Sequence, residues 1–230
     1  MEKNIDLGRD FLKWIAVVTM TIDHTGAILL PEYGILRIIG RLSFPLFSYL
    51  LVLGLESTRN ARNYFVRLFL FAFISQAPFY LALGVQPLEH LNIFFTLSSG
   101  LVFIHFHRKN PLVSLLPFLP ALVLNLDYGI YGILLIGCMY LLRRDTELGI
   151  ISIFVLNLSF LPLSSSQFLS LLALPIILAH EKGYPGTVGK STGKAMYPKW
   201  RKYFFYIFYP LHLTILYAAK VVPTPFILLF

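Results

Sequence analysis

Long apolar runs separated by short polar breaks fill almost the whole chain, at about 10–30, 34–55, 64–83, 92–106, 112–124, 129–142, 147–161, 167–180 and 203–220. These runs are apolar on every side and lack the strict alternation of a half-buried strand, so they predict helices buried in protein or lipid. The first ones have the roughly 20 residues needed to cross a hydrocarbon core about 30 Å thick. Several in the middle are shorter, which suits tilted, re-entrant or helix-surrounded segments. A last apolar tail, 221–230, is broken by Pro223 and Pro225 and is too short to cross alone. The pattern therefore predicts an all-α, polytopic transmembrane helical bundle with about nine membrane segments, folded as one domain over 1–230. The first run has no clear small-residue cleavage site and many runs follow it, so it reads as a retained helix rather than a signal peptide.

Composition strengthens this reading. Hydrophobic residues make up 57% of the chain and charged residues only 13%, against about 25% charge in soluble domains. The single cysteine, Cys138, lies in an apolar run, which leaves neither a disulfide framework nor a cysteine-based metal site.

The net charge of +8 would suit nucleic acid, but its distribution argues otherwise. Basic residues fall in alternate connections: Lys3, Arg9 and Lys13; Arg59, Arg62 and Arg67; Arg108 and Lys109; Arg143 and Arg144; and a basic loop, 181–202, holding Lys182, Lys190, Lys194, Lys199, Arg201 and Lys202. The connections between them (31–33, 84–91, 125–128 and 162–166) contain neither Lys nor Arg. By the positive-inside rule this places the N-terminus and the 181–202 loop in the cytoplasm and, after nine crossings, the C-terminus outside. No nucleic-acid partner is expected.

Against this apolar background the intramembrane polar residues are conspicuous, since an ionisable group at membrane depth costs on the order of 3 kcal/mol on insertion scales. Asp23 and His24 lie in the outer half of the first run, and Arg37 and Arg41 in the outer half of the second. Gln76 and Asn92 fall at similar or shallower depth, and His90 and Asp127 lie in outer loops. Adjacent residues on a helix point about 100° apart, so Asp23 and His24 cannot form a simple orienting dyad. One reading is structural, with Asp23 neutralising Arg37 or Arg41. The other is chemical: a histidine titrates near neutrality and suits general-base work. Arg37 and Arg41, one turn apart, suit an oxyanion or carboxylate.

Two further segments stand out. The stretch Gly183 to Lys194 resembles a phosphate loop but leaves five residues, not four, before Gly189-Lys190, and follows no strand, which excludes a nucleoside-triphosphatase. A basic, flexible loop there can still attract a polyphosphate. Near the end, Lys202-Tyr-Phe-Phe-Tyr-Ile-Phe-Tyr209-Pro210-Leu-His212 predicts a Pro-kinked aromatic helix with His212 near mid-depth, where the carbonyl freed by proline offers the imidazole a partner.

Taken together, these residues resemble the TraX family of integral membrane acyltransferases. The resemblance rests on Lys13-x-x-Ala16-x-x-x-Met20-x-x-Asp23-His24-x-Gly26, on Arg37-x-x-Gly40-Arg41-Leu-x-Phe44-Pro45, and on Thr58-Arg59-Asn60. It continues through Tyr64-x-x-Arg67-Leu68, Ser75-Gln76-x-Pro78-Phe79, Leu91-Asn92-x-x-Phe95-Thr96, Tyr128-Gly129-x-x-Gly132 and the closing Tyr209-Pro210-Leu211-His212-Leu213. The basic loop, with Gly186 and Gly189 in place of a continuous Gly-Arg-rich stretch, fits the pattern least well.

The resemblance implies a multi-pass protein of the bacterial inner membrane, similar in layout to larger transmembrane acyltransferases. It implies transfer of an acetyl group from acetyl-CoA to an amine or hydroxyl of an acceptor protein or glycan, with the N-terminus of a pilin as the family's associated acceptor. On that footing Arg59, Arg62, Arg67 and Lys190 are expected to hold the polyanionic CoA. His24 is expected to act as the base, supported by Asp23, Arg37 and Arg41, with Gln76, Asn92, Asp127 and His212 contacting the acceptor. A small proton-coupled transporter and a non-catalytic assembly factor for a pilus or secretion system are the alternatives.

Overall fold

The computed structural model describes residues 7–86, 89–162, 165–183 and 199–222. Within them the protein is helical throughout, with a single isolated bridge between Leu91 and Leu126 in place of any sheet. The helices are α1 (Leu7–Ile28), α2 (Gly34–Gly40), α3 (Ser43–Ser57), α4 (Ala61–Leu83), α5 (Ile93–Phe106), α6 (Pro111–Leu115), α7 (Phe118–Val123), α8 (Gly129–Leu142), α9 (Thr146–Phe160), a 3-10 helix (Ser165–Ala173), α10 (Leu174–Glu181) and α11 (Lys199–Val221). All nine apolar runs thus become helical, three of them broken. The second run bends at Arg41–Leu42 between α2 and α3, the fifth divides at Leu116–Pro117, and the eighth begins as 3-10 helix.

Local chemistry sets the boundaries. Asn60, Asn92, Asn110 and Asp145 each accept a hydrogen bond from a first-turn amide of α4, α5, α6 and α9, satisfying donors that a helix start leaves orphaned. Gly84 ends α4 in the left-handed region at φ 71°, where a side chain would be strained. Within α1, the Thr19, Thr21 and Thr25 hydroxyls donate back to carbonyls one turn earlier, so none is left wanting in apolar surroundings.

Packing is arranged around two groups of helices. Helix α1 lies against α2, α3 and α11, while α4 packs on α11 and α5, and α8 fills the space between α3, α5 and α9. Small residues permit the closest approaches. A Cβ on Gly149 would meet the Leu142 backbone, and one on Gly100 would meet Ile136, the device by which helices pack tightly where lipid is the solvent. The surface is apolar: Leu112 and Val123 are 79% and 83% exposed, and Val66, Leu70 and Phe73 of α4 also face outward. Gly34–Ser57, Ala61–Leu83 and Tyr203–Val221 are long and apolar enough to cross a membrane. Helix α1 has 22 residues, about 33 Å, but its polar residues keep it out of that group. The other described helices are 15 residues or shorter.

Candidate functional site

Between α1, α3, α4 and α11 runs a cavity of about 1310 Å³. Its two ends differ in chemistry from its middle. One end is basic: Arg9 and Lys13 from the start of α1, Arg59 after α3, and Arg67 from α4 line it with Asp10, which pairs with Lys13 at 2.8 Å, and with the polar Ser57, Thr58, Asn60 and Asn63. The waist is apolar and aromatic, made by Met20, Leu50, Leu51, Leu68, Phe94, Leu97, Tyr206 and Tyr209. At the far end stand Asp23, His24, Arg37, Arg41, His90, Asp127 and Tyr128. From Arg9 to His24 along α1 is 15 residues, a rise of about 22 Å.

At the far end Asp23 and His24 serve different neighbours, as their angular separation on α1 requires. Arg37 of α2 donates from Nη1 to Asp23 Oδ2 at 2.6 Å and to the Asp23 carbonyl at 3.2 Å. The other carboxylate oxygen, Asp23 Oδ1, is buried and accepts no hydrogen bond among the described residues. Gly40 lies so close that a Cβ there would overlap the carboxylate. His24 faces the other way: its Nδ1 is 2.7 Å from Nε2 of His212 on α11, with the two ring planes 24° apart and meeting edge to edge. The opposite nitrogen of His212, Nδ1, lies 2.9 Å from the Phe208 carbonyl. The proline at position 210 deprives Tyr206, not Phe208, of its helical donor, so the histidine does not use the carbonyl that the sequence reading offered it.

The rim of this end is built from two loops stitched together. Leu91 N donates to the Asn125 carbonyl and Asp127 N to the Leu91 carbonyl, each at 2.8 Å. Thr96 adds a hydroxyl bond to the Asp127 carbonyl. His90 Nε2 is 3.8 Å from Asp127 Oδ1. Tyr128 occupies the left-handed region at φ 63° and stacks on Phe44 at 4.0 Å. A bulky residue there costs on the order of 1–2 kcal/mol. Arg41 lies beside Tyr128, with its Nε buried and unpartnered among the described residues.

The residues singled out in the sequence fall into three groups. Asp23, His24, Arg37, Arg41 and Asp127 meet at one end of the cavity, and Arg59 and Arg67 line the other. Gln76, Asn92 and His212, expected to contact the acceptor, do not line the cavity, nor does Arg62. Asn92 is fully buried; its side chain donates to Gln76 Oε1 and the Ala72 carbonyl and accepts from Phe94 N, while Gln76 donates to the His90 carbonyl. Both amides are thereby committed to holding α4, α5 and the rim together. Lys190 and the glycine-rich stretch around it lie outside the described residues.

Other features escape a reading of the sequence. Arg9 and Lys13, which look like ordinary interfacial anchors, line the basic end. A separate cluster joins three helices: Arg143 bonds Glu56 and Glu181, and Tyr49 donates to Glu181 and contacts His180. Burial alone would lower the Arg143 pKa, but its bonds to Glu56 and the Glu181 charge hold it above the ordinary guanidinium value. Nothing local could announce a cluster whose members are 38 and 87 residues apart.

The fold and site define an all-helical protein with membrane-type helices and a lengthwise cavity that is cationic at one end and carries an acid–imidazole–arginine cluster at the other. The sequence matches the family described as TraX protein over residues 8–220, and the chain belongs to that family. It is 27% identical to the "Probable fimbrial assembly protein FimC, serogroup H1" of Dichelobacter nodosus, over 96% of this chain and 98% of that one. It is 28% identical to "Protein TraX" of Escherichia coli, over 90% of this chain and 85% of that one. No solved structure matches it.

Proposed function

We propose that this protein is an integral membrane acyltransferase that moves an acetyl group from CoA to an amine or hydroxyl acceptor on the opposite side of a bacterial inner membrane. The observation that carries the proposal is the cavity itself, which joins a basic end to His24 through an apolar waist. The polyphosphate of CoA docks on Arg59 and Arg67, joined by Arg9 and Lys13. The pantetheine arm threads the waist and presents the thioester to His24. The acceptor enters past His90 and Asp127. His24 takes its proton as it attacks, and Arg41, whose Nε is unsatisfied, steadies the oxyanion. The alternation of loop charges supports a cytoplasmic N-terminus, which puts the basic end on the CoA side. A pilin N-terminus is the acceptor that the resemblance suggests, and the name of the Dichelobacter relative, a fimbrial assembly protein, agrees with a pilus setting.

That same name equally favours a non-catalytic assembly factor. The two readings separate in one experiment. Acetyl-CoA added to purified protein stabilises the enzyme by RT ln(1 + [L]/Kd), about 2.7 kcal/mol at a hundredfold excess over Kd, and unrelated nucleotides do not. In membranes, wild-type protein transfers acetyl groups to an acceptor and a folded His24→Ala variant does not. No shift with acetyl-CoA together with no transfer by the wild type would leave the assembly factor standing.

A further inference from the structure

His212 touches His24 but does not line the cavity, and its two ring nitrogens are both engaged. A carbonyl oxygen only accepts, so the 2.9 Å contact with Phe208 requires a proton on His212 Nδ1. His212 is 5% exposed, and its ring packs against those of Phe208, Tyr209 and His24. A cation in such surroundings without an anionic partner is costly, so the ring is neutral and its Nε2 carries a lone pair. The atom 2.7 Å from that lone pair is His24 Nδ1, which must then be the donor. A neutral imidazole carries one proton, so His24 Nε2 is bare. It has no hydrogen-bond partner among the described residues, and His24 lines the cavity.

We infer that His212 is a positioning residue: through the chain Phe208 carbonyl, His212, His24 it fixes the His24 tautomer so that the unprotonated Nε2 is the nitrogen presented to the acceptor. The inference rests on the acyltransferase reading for its kinetic consequence but not for the tautomer itself. In the step it supports, the acceptor nitrogen or oxygen attacks the thioester carbon with its lone pair, and its N–H or O–H proton goes to His24 Nε2. The carbon–sulfur bond then breaks, and the CoA sulfur leaves with that proton. The transient His24 cation is held by its Nδ1–H bond to His212.

The test has two arms. In protein labelled with 15N-histidine, His24 is expected to show a protonated Nδ1 and a bare Nε2. In His212→Leu that single signature is lost. Kinetically, His212→Leu lowers kcat by about 100-fold, within the range general-base catalysis supplies, and leaves the KM for acetyl-CoA and the stabilisation by acetyl-CoA unchanged. His212→Gln, whose Oε1 can accept from His24 Nδ1, recovers a large part of kcat. A proton on His24 Nε2 in the wild type overturns the inference whether or not the leucine variant folds. So does a folded His212→Leu with wild-type kcat. Absence of transfer by the wild type, with the tautomer as stated, refutes the acyltransferase reading and leaves the positioning role of His212 intact.

Discussion

Asp23 Oδ2 and Arg37 Nη1, 14 residues apart in sequence, form a 2.6 Å ion pair that ties α1 to α2. The carboxylate side chain is 13% exposed and the guanidinium 38%, so the pair is half sheltered. Removing one member of a buried pair leaves an uncompensated charge, at 3–5 kcal/mol when burial is complete. With Arg37 this exposed, Arg37→Met is expected to cost about 2 kcal/mol, read as a fall in Tm of the purified protein. Asp23→Asn together with Arg37→Met should be less destabilising than Arg37→Met alone, because no orphan charge remains. An additive double variant would contradict the pairing.

Gly40 offers a sharper steric test of the same contact. A Cβ there would occupy the space of the Asp23 carboxylate, and overpacking of this kind costs about 1–3 kcal/mol. Gly40→Ala should lower Tm by at least as much as Arg37→Met. Gly34→Ala, where a Cβ meets nothing within 4 Å, should leave it nearly unchanged. Equal effects at the two positions would refute the close approach.

The basic end predicts a contrast between two arginines only five residues apart on α4. Arg67 lines the cavity and Arg62 does not, although both begin α4. Arg67→Met is expected to weaken stabilisation by acetyl-CoA at least tenfold in apparent affinity, and Arg62→Met by less than twofold. The readout is the concentration of acetyl-CoA giving half the maximal Tm shift. Identical losses would mean that only the general charge of that face matters.

Asn92 predicts a loss of stability without a loss of chemistry. Its side chain caps α5 and joins Gln76 to the Ala72 carbonyl, so Asn92→Ala strands buried partners at about 1–3 kcal/mol. Tm should fall while turnover per folded molecule stays within twofold of wild type. A selective fall in turnover at unchanged Tm would restore Asn92 to the site.

Much of this architecture is legible in the chain because a membrane simplifies the code. Apolar runs mark helices, and the rarity of charge within them makes Asp23, His24, Arg37 and Arg41 visible. Those four stand with Asp127 at one end of the cavity. What could not be read is partner choice between distant helices. Gln76 and Asn92 look like free polar groups in sequence because their mutual bonds close only when α4 meets α5. Nor does anything local show that the His212 ring lies between the Phe208 carbonyl and His24. The break in the second run was equally hidden, since Arg41-Leu42 carries no proline or glycine pair to mark it beyond Gly40, whereas Pro117 and Pro175 stand at the breaks of the fifth and eighth runs.

The backbone bonds of Leu91 to Asn125 and Asp127 tie together two loops at the rim of the far end of the cavity. On the proposed function, an incoming acceptor passes between two loops that these bonds brace against each other. The amides of Leu91 and Asp127 should therefore exchange with deuterium as slowly as those of the helices flanking them, with or without donor present. Discrimination among acceptors, in such a doorway, belongs to the residues that shape the frame.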